Sequence, residues 1–427
     1  MLKKMSTKDL KVGMFVADVG RAWFNHPWAT KKRLLTEESE IRELIDYGIS
    51  EVFIDTDRSK TSAQIAEGKA SAAGGRKPFK PVAGTVGPLR GSSARPSEPP
   101  ASAAAEIVSA LETELPKAAK AYGKALDTSK ALIAACYMNK RIEVSEVQEN
   151  VDELVESVSR NQDALSALIK LRRFDDYTYT HCLNVSVLSI STGKALGLSQ
   201  EDLRILGMGT MFHDLGKTRV PSYILNKPGK LTDDEFVIMK SHAALSEEII
   251  REQKLDVDER AIQVARFHHE RLDGSGYPDH LKGDEIPRLA TICGLSDVYD
   301  ALTSDRVYHK GMLPHDALKF IYGLRGTHFE PTWVDRFVQS VGIYPPGSVV
   351  AMNSGHIAVV IEVVHTSLLN PIVKIVADPK GQILPRPKLV DLSSQTEGAG
   401  WAISKVIPPS EAGFEPSYYF NLKDLPK

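Results

Sequence analysis

The chain has little cysteine: three in 427 residues, Cys136, Cys182 and Cys293, with no CxxC pair. An odd count at such spacing excludes a disulfide framework and a zinc ribbon, and it points to a reducing compartment. Long apolar runs are also missing, and no window approaches the roughly 18 residues that a membrane helix needs. The basic start, MLKKMSTKDLKVGMF, lacks the apolar segment of a secretory signal, so the reading is a cytoplasmic protein without a membrane span. Nor is there an excess of one charge. Lys+Arg number 53 and Asp+Glu 55, a formal net charge of -2, so no global positive field advertises a nucleic-acid polymer as partner. Any anionic ligand must be met locally. Internal repeats, heptad runs and a glycine-rich phosphate loop are absent as well.

What remains is an average globular composition, 42% hydrophobic and 25% charged, which excludes wholesale disorder and fibrous classes. At roughly 150 residues per domain, the length predicts two or three domains. Residues 4 to 57 alternate apolar and polar (Val12, Met14, Val16, then Val52, Ile54) around a helical stretch from Glu37 to Tyr47. This pattern predicts a small α+β unit, taken as a regulatory domain over residues 1–60. From 61 to 105, 29 of the 45 residues are Ala, Gly, Pro or Ser. Such a segment buries too little apolar surface to offset its ordering entropy and reads as a flexible, mildly cationic linker.

Helical periodicity then runs to about Val341, with capping signals at Ser199/Asp202 and Thr232/Glu235, and it predicts an all-helical domain over 106–341. After Tyr344-Pro345-Pro346-Gly347 the pattern changes to β-branched runs at Val349–Val350, Ile357–Val364 and Ile372–Val376. They predict a β-rich appendage of at least three strands over 342–427. The fold class is therefore mainly α, with a small α+β domain before the helices and a small β unit after them.

Histidine is the unusual residue. Seven of the twelve lie between 181 and 309, and five of those share the helical region with two aspartates at five places: His181, His213-Asp214, His242, His268-His269 and Asp297. Neutral imidazole and carboxylate suit iron, manganese, zinc or nickel, and so many donors exceed the need of one ion. Adjacent helical residues point about 100° apart, so His213 and Asp214 are not expected to chelate an ion in the ordinary i, i+4 way, and the histidine is expected to serve one ion of a pair. The carboxylate can instead bridge two. Any one of these histidines alone would more often be an ordinary buried or surface residue. Jointly they are harder to dismiss, because His213-Asp214 ends the apolar stripe Ile205, Met208, Phe212, and a polar pair facing a core is costly unless bonded. His268-His269 leads into Asp273-Gly274-Ser275-Gly276-Tyr277-Pro278, a turn whose glycines allow close backbone approach.

MFHDLGK (211–217), HHERLDGSGYP (268–278) and SDVYDALTSDR (296–306), in this order, resemble the HD-GYP subgroup of HD-domain metal-dependent phosphohydrolases. The resemblance covers about 175 to 320. KVGMFVADVGRAWFNHPW, near the start, is similar to an uncharacterised domain that often precedes HD-GYP modules. The resemblance implies that His181, His213, Asp214, His242, His268, His269 and Asp297 ligate metal, with Asp214 bridging two divalent ions, iron or manganese. Three-metal members carry a glutamate one turn before the first histidine, where this chain has Tyr177, so two ions are expected. The implied activity is hydrolysis of cyclic di-GMP to pGpG, or onward to GMP. A hydroxide between two divalent ions is available at neutral pH and needs no protein nucleophile.

Lys217 matches the family lysine that neutralises phosphate, and Asp214 and Lys217 are the catalytic pair so implied. Tyr277 and Arg306 match ligand-contacting positions. Lys310, beside His309, stands near the family's last basic residue, with Val307 in place of a proline. Asp300, one turn after Asp297, is expected to orient a ligand or hold Lys217. After His242, Ala243 and Ser246 stand where the family usually has a proline and, three residues on, a glycine, which puts helix packing there in question. Two other readings stay open at this point. One is a weakly active cyclic di-GMP sensor or a module docking to diguanylate cyclases, and the other is an HD hydrolase of other nucleotides. A homodimer is compatible with either.

Overall fold

The computed structural model describes residues 2–18, 33–46, 49–56, 58–59, 101–171, 177–227, 229–305, 311–394 and 401–420. Its chain divides into two compact units, Met1–Pro99 and Pro100–Lys427. The expected linker from 61 to 100 lies outside the described residues.

In the first unit, strands β1 (Leu2–Ser6), β2 (Phe15–Asp18), β3 (Arg33–Leu34) and β4 (Glu51–Asp55) form an antiparallel sheet of order β1-β4-β2-β3. Helix α1 (Glu38–Asp46) connects β3 to β4. The period of two in β4 sends Val52 and Ile54 inward, and the three-residue spacing in α1 does the same for Ile41 and Leu44. With Val16, Leu35 and Ile49 they form a small separate core. The α+β character expected from the alternation is what the unit shows.

The second unit opens with α2 (Ala101–Tyr137), which begins inside the Ala-rich tract read as linker. Alanine has the highest helix propensity and loses no side-chain entropy, so the low-complexity composition does not prevent helix there. Then follow α3 (Val144–Arg160), α4 (Gln162–Leu171), α5 (Tyr177–Ala195) and α6 (Gln200–Phe212). After a 3-10 segment at Leu215–Arg219 come α7 (Ser222–Leu225), α8 (Asp233–Lys240), α9 (His242–Glu252) and α10 (Glu259–Phe267). The series closes with α11 (Arg288–Thr303), α12 (Pro314–Tyr322) and α13 (Pro331–Val341). Both capping signals are realised. Ser199 Oγ accepts from the Asp202 amide at 3.1 Å, and Thr232 and Glu235 cap each other's backbone at 3.2 and 2.7 Å.

Helices α5, α6 and α11 are buried on nearly all sides, which explains why none shows a sharp amphipathic stripe. Around them packs a core that includes Leu111, Tyr122, Leu154, Leu165, Ile190, Phe212 and Ile292. The polar residues this central layer carries are therefore the ones that need a reason.

The C-terminal strands are β5 (Val349–Met352), β6 (Ile357–Glu362), β7 (Ile372–Ala377), β8 (Ile383–Asp391) and β9 (Ile403–Ile407), antiparallel in the order β8-β7-β6-β5-β9. Five strands form where at least three were expected. Central strand β6 is covered on both faces. Val359 and Ile361 join the helical core, while Ala358 and Val360 face a second cluster with Val350, Val373 and Ile375. That double burial is why its sequence is a continuous apolar run and not an alternation.

Candidate metal centre

Three of the five histidines stand where a helix has just ended. His213 follows α6, His268 follows α10, and His242 lies two residues beyond α8 as the first residue of α9. The last carbonyls of a helix have no intrahelical donor. Each ring uses this. The Nδ1–H donates to the carbonyl three residues back: His213 to Thr210 at 2.7 Å, His242 to Met239 at 2.7 Å and His268 to Ala265 at 2.9 Å. A carbonyl can only accept, so Nδ1 carries the proton and each neutral ring presents a bare Nε2 lone pair.

These lone pairs converge. His242 Nε2 lies 3.4 Å from His268 Nε2 and 3.1 Å from His269 Nε2. On the other side, His181 Nε2 lies 3.1 Å from Asp297 Oδ1 and 3.5 Å from Asp214 Oδ2, which is also 3.5 Å from His213 Nε2. The second oxygen of Asp214 turns the other way, 3.4 Å from His242 Nε2. Donor atoms bound at about 2.1 Å to one ion at tetrahedral or octahedral angles sit about 3.0 to 3.4 Å apart, and the spacings here lie within that range or, at 3.5 Å for the two to Asp214 Oδ2, just beyond it. Three compact donor groups result: His242/His268/His269, His181/His213/Asp297 and His213/Asp214/His268.

The fit to divalent ions is decided by two observations. The Nε2 of His213 and the Oδ1 of Asp214 are buried and have no hydrogen-bond partner, a costly state unless a cation satisfies them. The facing Nε2 atoms of His242 and His268 are both acceptors, and two acceptors at 3.4 Å repel unless something positive lies between.

Burial holds His242 neutral, lowering its pKa to about 4, and burial likewise keeps His268, His269 and, less strongly, His213 below the usual value. Asp214 and Asp297 are buried too, which opposes ionisation. The field of His213 and Lys217 on Asp214, and the His181 hydrogen bond on Asp297, overcome this and hold both well below the carboxylate range. Neutral imidazoles with ionised carboxylates are the state a metal takes up. In His181, burial opposes the charge, yet bonds to Asp297 and Asp300 raise its pKa to about 9.

The remaining expected residues have distinct places. Lys217 lies in the 3-10 turn that follows Asp214; its Nζ donates to Asp214 Oδ2, and its side chain is 30% exposed. Burial disfavours its charge, but Asp214 and Asp297 reverse that and raise its pKa. Tyr277 is half-buried, with its ring 4.6 Å from His269 and 6.2 Å from His242. Asp300 takes one of its two expected roles: it does not meet Lys217, and it orients the candidate ligand His181. It is buried behind His181, accepting from His181 Nδ1 at 2.7 Å and Asn184 Nδ2 at 2.9 Å. The reason is that α11 turns Asp300 toward α5, where His181 needs an acceptor. Arg306 and Lys310, with Val307 and His309, lie outside the described residues, as does the side chain of Tyr177.

Several supporting residues escape sequence reading. Ser246 is fully buried, and its Oγ accepts from the Gly216 amide at 2.8 Å and donates to the His213 carbonyl at 2.8 Å. The substitution that put packing in question is thus a hydroxyl tying α9 to the His213-Asp214 corner. Glu270 is buried and accepts the Asp279 and Leu281 amides at 2.7 and 3.1 Å, holding the turn after Tyr277-Pro278. The turn itself folds onto its own chain, since a Cβ on Gly276 would lie 2.5 Å from the Arg271 nitrogen.

Residues 152–333 match the HD domain model, 2–147 a domain of unknown function (DUF3391), and 349–412 a KOW domain associated with the HD domain. A cyclic di-GMP phosphodiesterase of Pseudomonas aeruginosa is 33% identical over 426 residues, 100% of this chain and 95% of that one. The chain belongs to the HD-GYP family. Within the HD-GYP relatives, a cyclic di-GMP phosphodiesterase response regulator of Xanthomonas campestris is 38% identical over 181 residues, 42% of this chain and 48% of that one. A 3'3'-cGAMP-specific phosphodiesterase of Vibrio cholerae is 33% identical over 162 residues, 38% of this chain and 31% of that one. Among the described residues of this HD-GYP chain, no helix is long and apolar enough to cross a membrane.

Proposed function

We propose that this protein is a metal-dependent phosphodiesterase that hydrolyses a 3',5'-phosphodiester of cyclic di-GMP to pGpG. The observation that carries the reading is the pair of facing acceptor clusters that share Asp214, one oxygen toward His181 and His213 and the other toward His242. In this reading His181, His213, Asp297 and Asp214 hold one ion, and Asp214, His242, His268 and His269 hold the second. Iron and manganese suit a set of imidazoles and carboxylates. Two divalent ions held so close would lower the pKa of water and polarise the phosphoryl oxygens.

The chain's own groups do the rest. Asp214 keeps the two clusters in one register because its carboxylate is held by the Lys217 ammonium. Lys217, charged and partly exposed, offers its remaining N–H donors to a phosphate at the rim. Tyr277, half-buried with its ring tilted 33° to that of His269, offers a flat face against which a guanine base can lie.

The test is metal analysis joined to a hydrolysis assay on full-length protein purified without oxygen. The expected outcome is two ions per chain and conversion of cyclic di-GMP to pGpG, with activity falling by at least about 1,000-fold in His213→Ala and Asp214→Ala. Metal-loaded protein that binds cyclic di-GMP without product would overturn the reading in favour of a sensor. Preference for 3'3'-cGAMP in the same assay would change the substrate and keep the chemistry.

A further inference from the structure

His181 differs from the three helix-end histidines. It lies inside α5, where the carbonyl three residues back belongs to the helix ladder, so its Nδ1–H needs an acceptor from another element. That acceptor is Asp300 of α11, at 2.7 Å. Asp300 is in turn held by Asn184, one turn after His181 on α5, at 2.9 Å. The line continues to α2, where the hydroxyl of Tyr122 donates to Asn184 Oδ1 at 2.7 Å. Tyr122 is 1% exposed, Asn184 7%, Asp300 1% and His181 2%, so the line runs through a buried interior where each bond is strong and each missing one is costly.

The polarity of the line matters. An amide can present oxygen or nitrogen to Asp300, and only nitrogen is acceptable beside a carboxylate. The Tyr122 hydroxyl selects that orientation by occupying the oxygen. Asp300 is then fixed from two sides, and the His181 ring is fixed with Nε2 toward Asp297 and Asp214. Tyr122 lies outside the HD domain match, which begins at 152, and inside the N-terminal domain match, which ends at 147.

We propose that Tyr122, on the helix that precedes the HD domain, is a positioning residue for the metal ligand His181, acting through Asn184 and Asp300. The inference rests on the metal-centre reading above. It makes α2 a working part of the site: a module ending near 147 supplies the last bond that orients a ligand in its neighbour.

The experiment uses full-length protein stripped of metal, with manganese(II) alone as probe, titrated by calorimetry, alongside thermal melts and cyclic di-GMP kinetics. Tyr122→Phe keeps the ring and removes only the hydroxyl. It should bind manganese about 10-fold more weakly, the low end of the loss seen when a ligand's outer partner is removed. Its melting temperature without metal should stay within about 4 °C of wild type. Its kcat should fall at limiting manganese and recover at excess, with KM unchanged. A merely structural tyrosine would lower the melting temperature and leave manganese affinity alone. Manganese affinity within about twofold of wild type, well inside that expected loss, would overturn the inference. His181→Ala separates the two levels. If it takes up manganese like wild type, the metal reading of this cluster fails. If it alone loses binding while Tyr122→Phe retains it, only the positioning role falls. Should Tyr122→Phe be recovered unfolded, Asn184→Ala breaks the same line at its middle and is held to the same affinity criterion.

Discussion

An ideal Cβ on Gly216 would lie 1.9 Å from the His242 carbonyl oxygen and 2.6 Å from the Ser246 nitrogen. Both neighbours are backbone of α9, which cannot move aside as a flexible side chain would. The close approach brings Asp214, two residues earlier, within reach of His242, and Ser246 seals it by accepting the Gly216 amide. Gly216→Ala should therefore lower stability by roughly 2 to 4 kcal/mol and weaken manganese binding together with it. A melting curve and a metal titration on one sample check both, and an unshifted melt would show that α9 yields more easily than its backbone contacts suggest. The glycine is legible in the sequence as part of a motif. Its reason is not, because the atom it must avoid is 26 residues away.

At the scale of elements, α8 is instructive because none of its residues is buried. Its existence depends on local terms, chiefly the Thr232/Glu235 capping box, with Lys227 paired to Glu235 at 2.6 Å. Its last turn nevertheless matters to the centre, since the Met239 carbonyl receives His242 Nδ1–H. Thr232→Ala should cost about 1 kcal/mol of helix stability. Amide hydrogen exchange should accelerate over 233–240, and manganese affinity should drop a few-fold as His242 loses its fixed acceptor, while the global melt barely moves. Exchange unchanged over that segment would count against capping as its support. This helix was readable from its cap alone. By contrast, α5, α6 and α11, buried on nearly all sides, carry little amphipathic signal, and their neighbours could be learned only from packing.

At the scale of the whole molecule, the second unit is one body in which the C-terminal sheet completes the helical core through Val359, Ile361, Ile372 and Val376. The seam between them carries charge. Asp163 on α4 is buried and accepts the Val363 amide at 2.7 Å, with His365 Nε2 3.5 Å from its other oxygen. Glu362 lies beside this pair, and burial, reinforced by Asp163, raises its pKa to about 8. A carboxyl raised from its unfolded value of about 4.3 keeps a proton in the folded state that the unfolded chain has lost. Its penalty therefore grows as pH rises from about 4.3 through 8 and is complete above that. Glu362→Gln, neutral at every pH, should stabilise the protein by about 1 to 2 kcal/mol at pH 9, after allowance for partial exposure, and by nothing near pH 4. Thermal melts across that range check it, and a gain that did not vary with pH would refute the titration argument.

Residue type and spacing alone determined the mainly helical class, the two flanking small units, the helix caps and the candidate donors of a metal centre, because periodicity and ligand chemistry are local properties. Sequence did not show which oxygen of Asp214 faces which histidine, that Asp300 serves His181 and not Lys217, or that Ser246 and Tyr122 hold the site in place. Those depend on which atoms are brought together from positions as far apart as 119 residues, the separation of His181 and Asp300, and only packing decides that. The same holds for β6, whose apolar run reads as a strand but whose second covered face is set by the helices it meets.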